Sequence, residues 1–434
     1  MCAQPRVLFV PGAAAWGPYN ALRAMAEVIR ARNLQCVFAV DESFLGVAAG
    51  HGFGEVVYEA SPPPVDPAES GTAFWAQWVR RNAVHFRGST TEQLTTVIHP
   101  QWTELVGSAR HAHPRLRQII EEVRPELIVV DNVGADPSVQ ASGIPWVRSI
   151  SANPLELADP DLPPPFSGYS LHDRTGWAEF HAEYARLHTG LHAEFNDFCV
   201  AQGAPPLEPL RFSYTSPWLN LYTYPEALDY PRPPGFHERW HRLDTVVRTG
   251  ERPFHVDDHL PGTGPVIYLS LGSMGSLDTR LLQHLVDVVA RTGHRTIVSM
   301  GPCHDEVRLG PAMYGEPFLP QPNVLPECDL IITHGGSNTL NEAVAAGLPM
   351  IVLPLFWDQY DNAQRVADLG LGVRMDTYGF DPDAMVAEIE RLLAEKGLRR
   401  RLTATAESIR HDPGALAGGT RIADLAESLV SAAI

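Results

Sequence analysis

Residues 330–353 read LIITHGGSNTLNEAVAAGLPMIVL, and this stretch decides the fold class. The apolar run Leu330–Thr333 predicts a strand buried on both faces, and the glycine pair after it predicts a tight turn. The helical spacing of Leu340–Ala346 and a second apolar run, Met350–Leu353, complete a strand–helix–strand unit. Because such units build parallel sheets with right-handed crossovers, the stretch predicts an α/β fold.

The same alternation of strand and helix patterns occurs on both sides of this stretch. Short apolar, β-branched runs predict strands, and apolar residues at helical spacing, such as Leu22, Met25 and Ile29, predict helices. The predicted strands are Arg6–Val10, Cys36–Val40, Leu127–Val130, a strand that Gly143–Val147 leads into, Val266–Leu271 and Thr296–Met300. The other predicted helices are Trp177–Val200, Leu281–Ala290, Asn362–Leu369, Met385–Leu393 and Thr420–Ala433.

A proline-dense segment separates these units into two groups. We therefore predict two facing Rossmann-like domains, each a doubly wound parallel sheet, at residues 1–230 and 263–415. Residues 231–262 form the predicted linker, and residues 416–434 form a C-terminal amphipathic helix. Ligands of doubly wound sheets bind beyond the carboxyl ends of the strands, so the cleft between the domains is the predicted site.

The amino-acid composition disfavours several classes of binding partner and of cellular location. Of 434 residues, 51 are acidic and 33 basic, and the net charge of −18 disfavours nucleic acids and anionic membranes as partners. No apolar run reaches the ~18–20 residues of a membrane span, and MCAQPRVLFVPG predicts a first strand rather than a signal peptide. The scattered cysteines indicate a reduced, cytoplasmic setting. Lys396 is the only lysine, which is typical of a high-GC bacterium.

The loop after Leu330–Thr333 has the composition of an anion site. Its paired glycines allow close backbone approach, and three N-cap residue types open the next helix. Free N–H groups and the helix dipole attract phosphate at such a place, and a histidine beside it adds a donor. The candidate phosphate-binding residues are His334, Gly336, Ser337, Asn338 and Thr339.

Carboxylates further along could bind a sugar. Glu342 lies on the same helix face as Asn338, at i+4 spacing, and could accept hydrogen bonds from the vicinal hydroxyls of a ribose. Asp358 and Gln359 follow the second strand, in a loop where nothing apolar requires them, and could bind further hydroxyls. These residues together predict that groups able to bind a phosphate and a ribose lie side by side.

The spacing from Phe318 to Gln359 resembles the signature of the UDP-glycosyltransferases, the family-1 glycosyltransferases of the two-domain GT-B fold. That signature runs aromatic-x-x-Gln, His-x-Gly-x-Asn-(Ser/Thr)-x-x-Glu and Asp/Glu-Gln, and every spacing is kept. The resemblance also implies that the helix at 416–434, preceded by family-like glycines, crosses back onto the first domain. The matching residues are Phe318, Gln321, His334, Gly336, Asn338, Thr339, Glu342, Asp358 and Gln359.

The resemblance implies a role for each matched group. Phe318 would stack on uracil and Glu342 would hold the ribose. His334, Asn338 and Thr339 would hold the diphosphate, and no metal ion or other cofactor would be needed. The remaining implied contacts are Ser273, in the segment LSLGS, with the phosphates and Asp358 and Gln359 with a glucose-type sugar.

One position departs from the family pattern. The family's inverting base is a histidine just after the first strand, whereas the aligned residue here is Gly17, next to Trp16, and residues 1–50 contain no histidine. We assign Trp16 and Gly17 to the acceptor-side loop. The family's helper aspartate matches Asp131, which becomes the candidate catalytic residue, although an aspartate at a strand end can also simply cap a turn.

Three explanations of the missing histidine stay open. The acceptor needs no base, as a carboxylate, an acidic phenol or an amine; Asp131 or a distant histidine takes the proton; or the chain is a binding-only relative. A general base contributes about 10²–10⁴-fold, so its loss would slow a hydroxyl acceptor without abolishing positioning. The candidate histidines are His85, His111 and His113.

The acceptor region is predicted only by composition. Aromatic residues are dense in the first domain outside its main strands, which suits a planar, apolar acceptor but is also compatible with ordinary helix packing. Two D-x-D patterns, at 159–161 and 381–383, lie among prolines, and we expect no metal at either. The aromatic residues are Trp75, Trp78, Phe86, Trp102, Phe166, Tyr169, Trp177 and Phe180.

The sequence therefore predicts a cytoplasmic, inverting, metal-independent glycosyltransferase, as a monomer or homodimer. It would move a hexose, glucose above all, from UDP to a hydrophobic small molecule in antibiotic tailoring or detoxification. Two rival hypotheses are a GT-B enzyme that epimerises or hydrolyses a UDP-sugar, and a non-catalytic auxiliary protein of a partner glycosyltransferase.

Overall fold

Two parallel β-sheets, one from each half of the chain, form the framework of the computed structural model. The structure describes residues 4–12, 15–61, 79, 81–157, 159–411 and 413–432. The predicted acceptor-region residues Trp75 and Trp78 lie outside these ranges.

The first sheet has seven strands in the order β3-β2-β1-β4-β5-β6-β7, with parallel pairing between neighbours. Its order runs outward on both sides of β1 and β4, as a doubly wound sheet requires. The strands are β1 (Arg6–Pro11), β2 (Gln35–Asp41), β3 (Gly54–Tyr58), β4 (Leu127–Asp131), β5 (Trp146–Ile150), β6 (Leu219–Thr223) and β7 (His241–Leu243).

The second sheet has six parallel strands in the order β10-β9-β8-β11-β12-β13. The predicted fold of two doubly wound Rossmann-like sheets is thus confirmed. The strands are β8 (Val266–Ser270), β9 (Arg295–Ser299), β10 (Met313–Glu316), β11 (Leu330–Thr333), β12 (Met350–Val352) and β13 (Gly372–Arg374).

Helices cover both sheets. The long ones are α1 (Trp16–Ala31), α2 (His99–Val123), α3 (Trp177–Ala201), α4 (Thr279–Ala290), α5 (Ser337–Ala346), α6 (Gln359–Asp368), α7 (Pro382–Ala394), α8 (Lys396–His411) and α9 (Gly414–Ala432). Short helical turns occupy Val47–Gly50, Thr90–Gln93, Pro137–Gln140, Phe236–Arg239, Val256–His259, Gly272–Gly275 and Gln321–Val324.

The central strands are apolar along their whole length because helices cover both faces. Every residue of β4 and of β11 is buried, as their continuous apolar runs predicted. In α1 the residues at helical spacing, Leu22, Met25 and Ile29, are fully buried against the first sheet. The periodicity in the sequence therefore identified both the strands and the buried helix face.

The first sheet extends beyond the predicted domain boundary at residue 230. Strand β7 pairs with β6 and lies inside the predicted linker, 231–262. Trp240 and Leu243 are buried there, but a strand this short, between prolines, has too few residues to show a period. The segment that follows β7 is the connector between the sheets.

The last helix lies against the first domain, as the resemblance implied. Ile422, Ala423 and Ala426 of α9 are buried in the same apolar cluster as Leu22 and Met25. Gly418 makes the close approach possible, because a Cβ atom at this position would lie 2.6 Å from Met25 Sδ. Helix α9 therefore ties the end of the chain to α1.

Candidate active site

His334 lies between two glycines in the loop after β11. A Cβ atom on Gly272 or on Gly336 would lie 2.5 Å from the imidazole ring, so neither position has room for a side chain. Gly272 also has a φ of 68°, in the left-handed region. Burial lowers the pKa of His334 to about 4, and the ring is therefore neutral near pH 7, with one N–H to donate.

The loops after β8 and β11 meet at the carboxyl edge of the second sheet. Ser270 pairs in register with Thr333, so the short helical turn Gly272–Gly275 lies beside His334. Ser273 is exposed in that turn. The structure therefore brings together the predicted phosphate contacts from both loops.

Phe318 is a solvent-facing aromatic ring. Its side chain is 64% exposed, although a lone phenylalanine in an α/β domain is usually part of the core. It lies two residues after β10, at the same edge of the sheet. An exposed ring at that edge is available to stack on a nucleobase.

Glu342 is buried in α5 and has a partner on each carboxylate oxygen. Its side chain is 5% exposed, Oε1 accepts from Arg248 Nη1 at 2.6 Å, and Oε2 accepts from Gln321 Nε2. Gln321 is oriented in turn by the Tyr268 hydroxyl, which donates to its Oε1 at 3.1 Å, and contacts Thr339 Oγ1 at 3.4 Å. Burial raises the pKa of Glu342, against the lowering effect of the Arg248 guanidinium.

Arg248 was missed by sequence reasoning. It belongs to the predicted linker, at a distance of 94 residues along the chain from Glu342. No local motif marks an arginine that reaches a site in another domain.

Asn338 contacts the first domain. Its Nδ2 donates to the backbone oxygen of Gly17 at 2.9 Å, and a Cβ atom on Gly17 would lie 3.6 Å from the same nitrogen. Trp16 lies beside Gly17 and is partly exposed. The centroid of its ring is 4.7 Å from that of Phe44 and 6.0 Å from that of Tyr19. The position aligned with the family histidine therefore faces residues 334–338, which we call the donor loop.

Asp358 is held by both domains. Its Oδ2 accepts from Ser337 Oγ at 2.9 Å and from the backbone N–H of Asn153 at 3.0 Å. The Asn153 side chain, fully buried, donates to Asn362 Oδ1 at 2.7 Å, and Asn362 donates to Ser337 Oγ at 3.0 Å. Burial raises the pKa of Asp358. This buried polar network fixes the carboxylate at the start of α6.

The Gln359 side chain accepts hydrogen bonds from the loop that precedes it. Its Oε1 accepts from the backbone N–H groups of Leu355 at 2.9 Å and Phe356 at 3.4 Å, and its side chain is buried. The carbonyl oxygen therefore stabilises the loop before α6, and the amide nitrogen is the group left to donate to a sugar. The sugar-binding roles of Asp358 and Gln359 stay predictions.

Asp131 lies buried at the end of β4. Its Oδ1 accepts from Ser151 Oγ at 3.1 Å, its Oδ2 accepts from Ser149 Oγ at 3.2 Å, and its backbone oxygen accepts from Gly12 N–H at 2.6 Å. Burial raises the pKa of Asp131 to about 7, although the Arg148 guanidinium opposes this effect. The carboxyl group therefore ionises close to neutral pH, beside the chain segment that leads into α1.

The candidate histidines have other contacts. His111 pairs with Glu59 at 3.5 Å, and His113 Nδ1 hydrogen-bonds Ser138 Oγ at 2.7 Å. His85 lies in the helical turn His85–Arg87. None of the hydrogen bonds described for Asp131 involves a histidine.

The D-x-D patterns have local structural roles. Asp159 accepts from the Asp161 N–H, and Asp381 caps α7 by accepting from the Asp383 N–H, both at 2.9 Å. Within the described ranges, no group of three or more histidine, cysteine or acidic side chains is arranged to hold a metal ion.

Aromatic residues of the first domain meet the loop that carries Asp358. Trp357 packs between Phe166, at 4.5 Å between ring centroids, and Trp102, at 5.3 Å. Its φ of 59° is unusual for a bulky residue and marks local strain next to Asp358. Sequence reasoning singled out Trp102 and Phe166 but missed Trp357, whose position directly before Asp358-Gln359 was the available signal.

Comparisons with known proteins agree with this geometry. Residues 274–424 match the family model for the C-terminal domain of erythromycin biosynthesis protein CIII-like proteins. Zeaxanthin glucosyltransferase of Pseudescherichia vulneris is 28% identical over 332 residues, which cover 73% of this chain and 77% of that protein. Glycosyltransferase GtfC of Amycolatopsis orientalis is 31% identical over 221 residues, 50% of this chain and 52% of that protein.

The chain is a glycosyltransferase that is similar to the family-1 enzymes. Solved glycosyltransferases share its fold over almost the whole chain, although their identity is too low to show more than the fold. The kitacinnamycin glycosyltransferase superposes with a TM-score of 0.67 at 20% identity, over 99% of this chain and 100% of its own. VinC in complex with dTDP superposes with a TM-score of 0.66 at 18% identity, over 98% of this chain and 100% of its own. Among the described residues, this glycosyltransferase has no helix of the length and apolarity that crossing a membrane requires.

Proposed function

We propose that this glycosyltransferase moves a glucose-type hexose from UDP to a hydrophobic small-molecule acceptor, with inversion and without a metal ion. The observation that carries the proposal is the grouping of an exposed ring, Phe318, a buried carboxylate, Glu342, and the glycine-clamped His334 loop at one sheet edge. These groups match the base, the ribose and the diphosphate of a nucleotide sugar.

The relatives support the finer points of the proposal. The P. vulneris relative is named for glucose transfer to zeaxanthin, which agrees with a glucose donor and an apolar acceptor. Of the three rings that pack beside Asp358, Trp102 and Phe166 are buried and Trp357 is partly exposed, so Trp357 is the ring that an apolar acceptor could reach. VinC was solved with dTDP, which carries a deoxyribose, so a dTDP donor is the alternative that binding experiments must distinguish from UDP.

The proposed reaction is a single displacement. The acceptor atom attacks the anomeric carbon from the first-domain side while the bond from that carbon to the phosphate oxygen breaks, so the configuration inverts. The leaving UDP keeps the bonding electron pair. Its charge is stabilised by N–H groups at the start of α5 and by the neutral His334. Positioning of the two substrates contributes much of the remaining acceleration.

The fate of the proton depends on the acceptor. A hydroxyl group would give its proton to Asp131, whose pKa of about 7 suits a base at neutral pH. A carboxylate acceptor needs no base, and an amine with a free lone pair can lose its proton to solvent after attack.

Thermal unfolding with UDP, dTDP, GDP and ADP, each with and without EDTA, tests the donor assignment. Ligand at about 100 times Kd adds roughly 2.7 kcal/mol, which corresponds to a Tm shift of several degrees for domains of this size. We expect the largest shift with UDP, unchanged by EDTA. No shift with any nucleotide would favour the auxiliary-protein hypothesis.

Turnover of UDP-glucose distinguishes the remaining alternatives. We expect UDP release to require an acceptor, in a screen weighted toward phenols, acids and amines of apolar character. Full-rate hydrolysis or epimerisation without an acceptor would favour the epimerase or hydrolase instead.

A further inference from the structure

Arg248 reaches the donor site from the connector between the sheets. Its side chain is 15% exposed, and its Nη1 donates to Glu342 Oε1 at 2.6 Å. Arg248 is thus an element of the donor site that lies outside the family signature.

A buried carboxylate needs such a partner. Removal of an ion from water costs several kcal/mol unless hydrogen bonds and an opposite charge offset it. Arg248 and Gln321 each take one oxygen of Glu342, and a carboxylate has about four lone-pair sites. One acceptor site on each oxygen therefore stays available for the two ribose hydroxyls.

The charge of Arg248 matters for an anionic ligand as well. Glu342 lies in the same helix as the phosphate loop, one turn after Asn338. An unpaired carboxylate there would repel a diphosphate, and the guanidinium cancels that charge at close range.

Arg248 is itself held in place. Its Nε donates to Glu251 Oε1 at 2.9 Å, and the same oxygen lies 3.5 Å from Arg23 Nη1 of α1. Arg23 also donates to the backbone oxygen of Thr249, whose hydroxyl donates to Glu27 of α1 at 2.7 Å. Hydrogen bonds and an ion pair therefore hold the connector against α1, the helix that begins at Trp16 and Gly17.

We propose that Arg248 is a positioning residue that holds the Glu342 carboxylate as an acceptor for both ribose hydroxyls, and so sets the preference for ribonucleotide over deoxyribonucleotide donors. The inference rests on the proposed donor site. It adds a residue from the connector and names the part of the nucleotide on which it acts.

Calorimetric titration of the full chain with UDP and with 2′-deoxy-UDP tests it. The ratio of the two dissociation constants isolates the 2′-hydroxyl, because the ligands share the base and the diphosphate. We expect the wild type to prefer UDP by about tenfold, the equivalent of one hydrogen bond to a charged group. In Arg248→Gln we expect this ratio to fall close to one.

Two further variants separate positioning from folding. Arg248→Lys keeps a cation but not the guanidinium geometry, and should retain an intermediate ratio. Arg242→Gln is the matched control, because Arg242 is an arginine of similar burial that pairs with Glu226 and Asp244 and has no contact with Glu342 among those described. Its ratio should equal that of the wild type.

The possible failures are distinguishable. An Arg248→Gln protein with the wild-type ratio would overturn the inference and leave the proposed function intact. A wild type that binds both nucleotides equally would overturn the inference and the ribose contact of Glu342, but not the transfer of a sugar from a nucleotide. A wild type that binds neither nucleotide would overturn the proposed function, and the inference with it.

Discussion

Asn338 and Gly17 connect the two domains by one hydrogen bond, from the Asn338 amide nitrogen to the Gly17 backbone oxygen at 2.9 Å. The residue that we aligned with the family's catalytic histidine thus contacts the donor loop through its backbone. As a glycine, it has no side chain that could act as a base.

Restoring the histidine should raise the rate with hydroxyl acceptors. In Gly17→His the new Cβ atom would meet Asn338 at 3.6 Å, an ordinary van der Waals contact, so the side chain has room to start toward the donor loop. A general base contributes about 10²–10⁴-fold, and we expect at least the lower part of that range in UDP release from UDP-glucose. Gly17→Ala is the control, and equal rates for the two variants would contradict the prediction.

Asp131→Asn should remove a pH dependence from turnover. Because the pKa of Asp131 is raised to about 7 by burial, the wild-type rate with a hydroxyl acceptor should climb with pH and level off above neutrality. The variant should be slower by about 10²-fold or more and lack this step. A pH–rate profile unchanged by the substitution would clear Asp131 of the role of base.

The same variant should change how stability depends on pH. The native protein holds the Asp131 proton up to a pKa of about 7, whereas the unfolded chain loses it near the ordinary aspartate pKa of 3.8. As pH rises from about 4 to about 7, the free energy of unfolding of the wild type therefore falls relative to that of Asp131→Asn, by up to about 1.4 kcal/mol per pH unit. Above a pH of about 7 the difference between the two proteins stays constant. Denaturant unfolding of both proteins at several pH values measures the effect, and a constant difference across the window would refute it.

Phe318→Ala should weaken UDP binding without destabilising the fold. The ring is 64% exposed, so its removal leaves no cavity and should change the free energy of unfolding by less than about 0.5 kcal/mol. Stacking of an aromatic ring on a base contributes about 1–3 kcal/mol, and we expect the Kd of UDP to rise accordingly. If stability fell and affinity did not, Phe318 would be a packing residue instead.

Asp358→Asn should reduce discrimination between sugars while UDP itself binds as before. The kcat/KM ratio of UDP-glucose to UDP-galactose should move toward one by about tenfold, because a charged acceptor for sugar hydroxyls is lost. Asp368→Asn is a matched control on the same helix, since Asp368 accepts from Ser170 Oγ at 2.9 Å across the domain interface. A ratio lowered equally in both variants would point to a general loosening of that interface.

The sequence was informative wherever structure depends on neighbours along the chain. The strand–loop–helix from Leu330 to Ala346 was predictable because a continuous apolar run and helical spacing each leave a local pattern. The glycines around His334 were predicted as a close backbone approach, and the structure gives the reason at Gly336, where the imidazole occupies the place of a Cβ atom.

Contacts between distant segments were not predictable. Arg248 is 94 residues from Glu342, and Asn153 is 205 residues from Asp358, so no periodicity relates either pair. The partners of Gln359 were unforeseen for a different reason. A glutamine that hydrogen-bonds the backbone of its own loop cannot be told from a ligand-binding glutamine by sequence alone.

One short segment after β5 holds a carboxylate from each domain. Ser151 donates to Asp131, and two residues later the Asn153 N–H donates to Asp358. This matters for recombination between related enzymes. A chimera that takes the first domain from one parent and the second from another inherits Ser151–Asn153 without the Asp358 loop that evolved with it. Exchange of that segment together with the loop before α6 is therefore the smallest graft that keeps the hydrogen bonds to both carboxylates.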